Sequence, residues 1–241
     1  MLREISSFTV AAICFVLATL AWRRDAIGYA GAAAPAWIGL SAAILGAGYL
    51  LGRPGIFLKR PTGSLHPAGW FLHWPLHVVS LLMHLKRRVD RVAVCSPIHR
   101  GLIVGRWLTP SEAHVLDELR VSAVLDMTAE LPETGLLLRR AYLCLPVLDG
   151  RAPTMGQIEE GCRFMAHHLV HDGVVYLHCA AGRGRSATMA AAYLVRAGIA
   201  SGVDSAVGQV RRNRPGTHIT PRQRRALDQF AGCLQKGSIG S

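Results

Sequence analysis

Two uncharged stretches open the chain. Ile5 to Trp22 holds no Asp, Glu, Lys or Arg, and after Arg23-Arg24-Asp25 a second such run extends from Ala26 to Gly52. A helix needs about 20 apolar residues to cross a hydrocarbon core, so each run is long enough. The short charged break between them predicts a transmembrane helical hairpin over residues 1–52. A cleaved signal peptide is the alternative for the first run. Against it, no short apolar core with a small-residue cleavage site precedes the arginines, and a second span follows at once. Gly48 and Gly52 are spaced as GxxxG, with Ala32, Ala36 and Gly39 nearby, and small residues let membrane helices approach closely.

Residues 53–88 read as a linker with a membrane-interface helix. Pro54, Gly55, Pro61, Gly63, Pro67 and Gly69 break any regular element in its first part. Trp70 to Leu85 is then apolar, except that His73, His77, Ser80 and His84 recur at helical spacing and form one polar stripe. His73 and His77, spaced as HxxxH, raise the possibility of a metal site, but no carboxylate or cysteine nearby completes one. A helix lying in the membrane interface fits better, anchored by Trp70 and Trp74 and followed by Lys86-Arg87-Arg88. Pro75 interrupts the segment. A third crossing here would move everything downstream to the other side of the bilayer.

From residue 89 to residue 241 the pattern becomes that of a soluble α/β domain. Val92–Cys95, Leu102–Val104, Val121–Met127, Ala141–Val147 and Val174–Cys179 are apolar runs of strand length. Between them fall helix starts. Thr109-Pro110-Ser111-Glu112 is a capping box predicting a helix to about Leu119, and Thr154 with Gln157 predicts another through about His168. Further helices are predicted over Arg185–Ala197 and Val203–Arg212, and from Thr220-Pro221 onward. Strands alternating with helices imply a mostly parallel central sheet flanked by helices, following the N-terminal hairpin.

Composition sharpens this division. The chain is 51% hydrophobic over 241 residues and carries a formal charge of +12, which excludes an intrinsically disordered protein and is unusual for one soluble domain. Residues 1–60 hold six basic and two acidic residues, and the remainder holds 21 and 13, so both parts are basic. The six cysteines form neither a disulfide framework nor a CxxC metal pattern. Basic residues after the second span, Arg53, Lys59 and Arg60, place the C-terminal part on the cytoplasmic side of a multi-pass membrane protein.

The chemistry concentrates at the end of the last predicted strand. His178 and Cys179 are followed by Ala180, Ala181, Gly182, Arg183 and Gly184, and Arg185-Ser186 opens a helix. Backbone N–H groups of such a loop, together with a helix N-terminus, form a cradle for a dianionic oxyanion. Gly182 and Gly184 allow the turn, and Arg185 offers a fork for two phosphate oxygens. Cys179 in that positive field is expected to be a thiolate, a nucleophile aimed at phosphorus. Ser186 is placed to hydrogen-bond the sulfur. An alcohol leaving group needs a proton, and Asp149, in the loop after the Ala141–Val147 strand, is the candidate acid; Asp126 is the runner-up and fits a structural role better.

These residues resemble the HCxxGxxR[ST] signature of the cysteine-dependent protein tyrosine phosphatase superfamily, in its dual-specificity branch, with particular similarity to the type acting on phosphatidylglycerophosphate in mitochondria. Asp149 matches the general-acid position about 30 residues before the cysteine. The stretch from Ala187 to Leu194 and the Arg211…Arg214-Pro215 stretch are also similar, and the resemblance spans about residues 90–235. It implies Cys179 as nucleophile, Asp149 as acid, Arg185 as clamp of the phosphate and transition state, Ser186 as thiolate helper, and His178 as a group tuning the cysteine from behind the loop. The 180–185 loop would bind the phosphate.

The resemblance implies a membrane-anchored phosphatase with no cofactor or metal, acting on phosphate monoesters of phospholipids or phosphoproteins. Ala180 and Ala181 are small and neutral, Arg183 supplies a second basic position, and from Arg183 onward ten basic residues face two acids, Asp204 and Asp228. That field suits anionic lipids of the bilayer. Nucleic acid is not expected as a partner, because no recognition motif accompanies the charge. The alternative of a different class is a membrane protein that binds phosphate or lipid headgroups without catalysis. Cys95 and Cys144 are candidates for a reversible disulfide with Cys179.

Overall fold

A computed structural model describes residues 13–14, 16–17, 19, 28–89 and 93–237. Most of the first uncharged run, and so the hairpin expected from it, lies outside the described residues. The chain divides into two compact units, one comprising Met1–Lys59 and Leu65–Arg91, the other Arg60–Ser64 and Val92–Ser241.

The first unit is helical. Helix α1 covers Gly28–Leu51, and its Ala33–Leu51 portion is, among the described residues, the one helix long and apolar enough to cross a membrane. Gly52, at φ +65°, ends α1 in the left-handed region, where a side chain would be strained. Gly48 leaves room for Ile56, whose side chain occupies the place a Cβ would take. The two glycines thus serve a helix stop and a local contact. A turn at Pro54–Phe57 leads to α2 (Pro67–Leu72) and α3 (Trp74–Val89). Pro75 sits in the first turn of α3, where its missing N–H is tolerated, and the break falls two residues earlier, at His73.

The histidine stripe turns inward. His73 is fully buried, with Nδ1 3.4 Å from Ser41 Oγ and Nε2 3.1 Å from the Ile56 carbonyl oxygen. His77 is also buried, its ring 4.5 Å from that of Trp70. His73 therefore serves to tie α1 to the segment before α2, which leaves neither of its ring nitrogens for a metal. Among the residues this unit exposes are the apolar Phe71, Trp74, Val78, Val79 and Leu82.

The second unit is built on a five-stranded sheet ordered β1-β2-β5-β3-β4: β1 (Cys95–His99), β2 (Leu102–Arg106), β3 (Ala123–Thr128), β4 (Ala141–Val147) and β5 (Val175–Cys179). Strands β2, β5, β3 and β4 run parallel to one another, and the edge strand β1 runs antiparallel to β2. Every residue of β3 and β5 is buried, as expected of parallel strands covered on both faces. Pro97 is accommodated because β1 is an edge strand, which begins later than the expected Val92–Cys95.

One face of the sheet packs Leu102, Val104, Leu125 and Leu177 against α5 (Met155–His168), α6 (Arg185–Arg196), α7 (Val203–Asn213) and α8 (Pro221–Gly237). The other face packs Ile103, Val124 and Tyr176 against Leu108, Leu116 and Leu137. The helix expected from Thr109 shrinks to one turn, α4 (Val115–Glu118). Glu112 does bond back to Thr109, at 3.2 Å from its N–H, but its carboxylate is also claimed by both ends of the buried Arg106 fork, at 2.8 and 3.0 Å. Thr154 and Gln157 form the capping box their spacing predicts.

Candidate active site

All parallel strands end at the same edge, and the site is assembled there. β5 delivers His178 and Cys179, and the backbone then turns through residues 180–184 into α6. Gly182 adopts φ +65°, and a Cβ on it would meet the Gly105 carbonyl and come within 2.6 Å of Arg214 Nη2. Only glycine fits this turn. Arg214, 3% exposed, donates from Nε to the Gly182 carbonyl and from Nη1 to Ser96 Oγ at 3.2 Å. The carbonyl of Arg183 accepts from the N–H of His218 at 2.9 Å, and that of Gly184 from Thr188. With these carbonyls drawn outward, the loop is held from three sides. Ala180, Ala181 and Gly184 are half-buried along it, and the Arg183 side chain is exposed at its rim.

Cys179 lies at the floor, 2% exposed, its Sγ 3.3 Å from Ser186 Oγ. Burial pushes the thiol up, but the Arg185 guanidinium and the hydroxyl and N–H of Ser186 outweigh it and hold the group below the ordinary thiol value. The fully buried Arg185 is fixed in turn: Nη1 donates to the Val147 carbonyl at 2.7 Å, and its fork grips both oxygens of Glu130, at 2.9 and 2.6 Å. That carboxylate holds the guanidinium well above its ordinary value, against the effect of burial. Asp149 Oδ1 reaches within 3.4 Å of Arg185 Nη2 while its side chain keeps 43% exposure. Its loop is pinned from α8 and the residue before it, since Thr220 Oγ1 donates to the Gly150 carbonyl and Gln223 Nε2 to that of Arg151.

Cys179, Arg185, Ser186 and Asp149 therefore meet in one place. Asp126 does not join them. It is fully buried and accepts from the Thr128 N–H and Oγ1, both at 2.7 Å, and from Tyr142 Oη at 2.8 Å. His178 stands behind the loop with Nε2 2.8 Å from Glu133 Oε2. Glu130, Glu133 and Arg214 were not assigned roles from the sequence. The available signal for the two glutamates was their place just after β3, at the edge where the parallel strands end.

The disulfide candidates fail on topology. Cys95 pairs with Gly105 and Gly105 with His178; Cys144 pairs with Asp126 and Asp126 with His178. Each cysteine is thus two strands from β5, about 9.5 Å away, beyond the ~7 Å Cα separation a disulfide spans.

A family described as "Polymorphic toxin system, DSP-PTPase phosphatase" matches residues 107–199. Among solved structures, PTPMT1 in complex with PI(5)P superposes with a TM-score of 0.56 at 25% identity, covering 61% of this chain and 99% of that one. The second unit is similar in sequence and in fold to the dual-specificity phosphatase branch. Tk-PTP in its active form is likewise similar to this phosphatase domain, with a TM-score of 0.52 at 27% identity over 58% of this chain and 97% of that one. In sequence, the domain is 38% identical over 78 residues to human phosphatidylglycerophosphatase and protein-tyrosine phosphatase 1, covering 32% of this chain and 38% of that protein. It is 32% identical over 91 residues to the Arabidopsis thaliana phosphatidylglycerophosphate phosphatase PTPMT2, covering 37% of this chain and 40% of that protein. The chain thus aligns with about two fifths of the length of the curated relatives it matches.

Proposed function

We propose that this protein is a membrane-associated phosphatase that hydrolyses phosphate monoesters through a cysteinyl-phosphate. The observation that carries this reading is the meeting of the Cys179 thiol, hydrogen-bonded to Ser186, a buried guanidinium and a partly exposed carboxyl group at one strand edge. The loop N–H groups and Arg185 bind the three non-bridging oxygens. The Cys179 thiolate attacks phosphorus in line, the P–O bond to the alcohol breaks, and protonated Asp149 gives its proton to the departing oxygen. Water then attacks the phosphocysteine and loses a proton to Asp149. The thiolate leaves, stabilised by the Ser186 hydroxyl, and inorganic phosphate is released.

A phospholipid monoester is the substrate class favoured. The walls at Ala180 and Ala181 are small and uncharged, the rim carries Arg183, and the first unit supplies an apolar helix and an exposed aromatic face. The human and Arabidopsis relatives are named for phosphatidylglycerophosphate, which supports the same choice. Phosphoproteins form the second reading, because the human relative is also named a protein-tyrosine phosphatase. The reading includes a multi-pass anchor over residues 1–52 and an interfacial helix within 53–88. It also includes a phosphatase domain over 89–241 on the cytoplasmic side, supported by Arg53, Lys59 and Arg60 after the span.

The test is phosphate release by the full-length protein from phospholipid monoesters in vesicles, beside phosphotyrosine and phosphoserine peptides. Preferential release from lipid is expected. Preference for peptides would move the assignment to phosphoproteins, and release from none would favour the non-catalytic, headgroup-binding alternative.

A further inference from the structure

Five residues from the linker region, Arg60–Ser64, fold as part of the phosphatase unit although 27 residues separate them from the rest of it. They form a tight turn: the Arg60 N–H donates to the Ser64 carbonyl at 2.8 Å and the Gly63 N–H to the Arg60 carbonyl at 2.9 Å. Gly63 is buried at φ +82°, and its carbonyl accepts from the Glu133 N–H at 2.8 Å. A Cβ added to Gly63 would sit 2.6 Å from Tyr142 Oη and 2.9 Å from Glu133 Cβ. The turn is therefore pressed against two side chains at once, with no slack.

Those two side chains lead to the nucleophile. Glu133 Oε2 lies 2.8 Å from His178 Nε2, while its Oε1 accepts from the Thr134 N–H at 2.8 Å. Tyr142 Oη donates to Asp126 Oδ2 at 2.8 Å, and Asp126 Oδ1 lies 3.8 Å from the same His178 nitrogen. The imidazole, the Glu133 carboxylate and Asp126 have no side-chain exposure, and the His178 ring stacks on Tyr176 at 5.6 Å. Burial and the neighbouring Asp126 charge push the Tyr142 phenol up, so it remains a neutral donor to that carboxylate. His178 is thus flanked closely by groups from the 133 loop, β3 and its own strand, and it is covalently joined to Cys179.

We propose that the Arg60–Ser64 turn is a positioning element for Cys179, acting through Glu133 and Tyr142 on His178. Without the turn, Glu133 loses its main-chain tether and the imidazole loses a fixed wall. The C-terminal end of β5 then loosens, and with it the contact between Cys179 and Ser186. A shift of a few tenths of an ångström at a nucleophile costs rate far more than it costs binding. The proposal rests on the phosphatase reading for its effect on turnover, but its effect on the thiol is independent of that reading.

The experiment compares full-length Gly63→Val with Gly55→Val, whose added side chain meets open space. Two properties are read: the pH dependence of Cys179 alkylation by iodoacetamide, and turnover of a soluble aryl phosphate. Gly63→Val is expected to move the alkylation midpoint up by about one pH unit. It should also lower kcat about tenfold, with KM within about twofold of wild type. Gly55→Val should match wild type in both. Glu133→Gln should act in the same direction, and adding Gly63→Val to it should cost little more, because both changes act through one contact. If Gly63→Val does not fold, Tyr142→Phe, which deletes one hydroxyl, tests the same path and should show a smaller shift of the same sign. Wild-type alkylation and turnover in Gly63→Val, or losses that multiply with those of Glu133→Gln, would overturn the proposal. A shifted midpoint in a protein whose wild type releases no phosphate would retain the proposal and sink the phosphatase reading.

Discussion

The two units of the chain use their polar residues in opposite ways. In the first, His73 and His77 are turned inward to join helices while Phe71, Trp74 and Leu82 face outward. In the phosphatase unit the apolar side chains are inside, and charged groups are drawn to one strand edge and buried there in pairs, as with Arg185 and Glu130 or Arg106 and Glu112. One unit exposes what a bilayer would cover; the other buries charge to arrange chemistry. The comparison implies that changes in the second unit should affect every substrate, whereas changes on the outer face of the first should matter only when the substrate is in a membrane.

The largest effect is expected at the nucleophile. Cys179→Ser should lower kcat by about 10⁴-fold or more on soluble and vesicle-borne substrates alike, measured as phosphate release. Asp149→Asn should cost about 10²-fold or more on alkyl phosphates, whose leaving groups need a proton, and much less on aryl phosphates with acidic phenols. Equal losses on both would place the acid elsewhere. The paired change Phe71→Ser with Trp74→Ser should reduce activity on vesicles about tenfold by weakening bilayer binding and leave soluble aryl phosphate turnover unchanged. A loss on both substrates would erase the contrast between the units.

The smallest of these effects concerns stability. Burial raises the Glu112 carboxyl, but Arg106 and Thr109 outweigh it and hold the group at about 2. A carboxyl depressed in the folded state stabilises the fold above its unfolded value, near 4.5, and that stability is lost as pH falls toward 2. Glu112→Gln should therefore cost about 2 kcal/mol at pH 7, after allowance for solvent screening of a partly exposed pair, and the gap from wild type should narrow between pH 4.5 and pH 2. Denaturant melts across that range measure it.

The strand, turn and helix around Cys179 were legible because they are local. Cys179 to Ser186 is a continuous stretch whose strand, turn and helix are each dictated by neighbouring residues, and Thr154 with Gln157 caps a helix within one turn. What escaped the sequence depends on distant partners. The helix expected after Thr109 shrank to one turn, and its Glu112 is shared with Arg106 on a strand. The spacing of the histidine stripe predicts an interfacial polar face, yet Ser41 and the Ile56 carbonyl draw His73 inward. Glu130 and Glu133 gain meaning only once β3 is placed beside β5, and Gly63 only once the linker turn is seen against Tyr142. The exclusion of Cys95 and Cys144 as disulfide partners required the strand order itself.

The central claim is that phosphorus passes through the sulfur of Cys179. Rapid acid quenching during turnover of an aryl phosphate, whose acidic phenol leaves without a proton, followed by peptide mass analysis, tests it most directly, with Asp149→Ala used to slow breakdown of the intermediate. The account predicts a phosphoryl adduct on the peptide carrying Cys179, absent from Cys179→Ser. Turnover with no adduct on that peptide, or an adduct mapped to another residue, would contradict it.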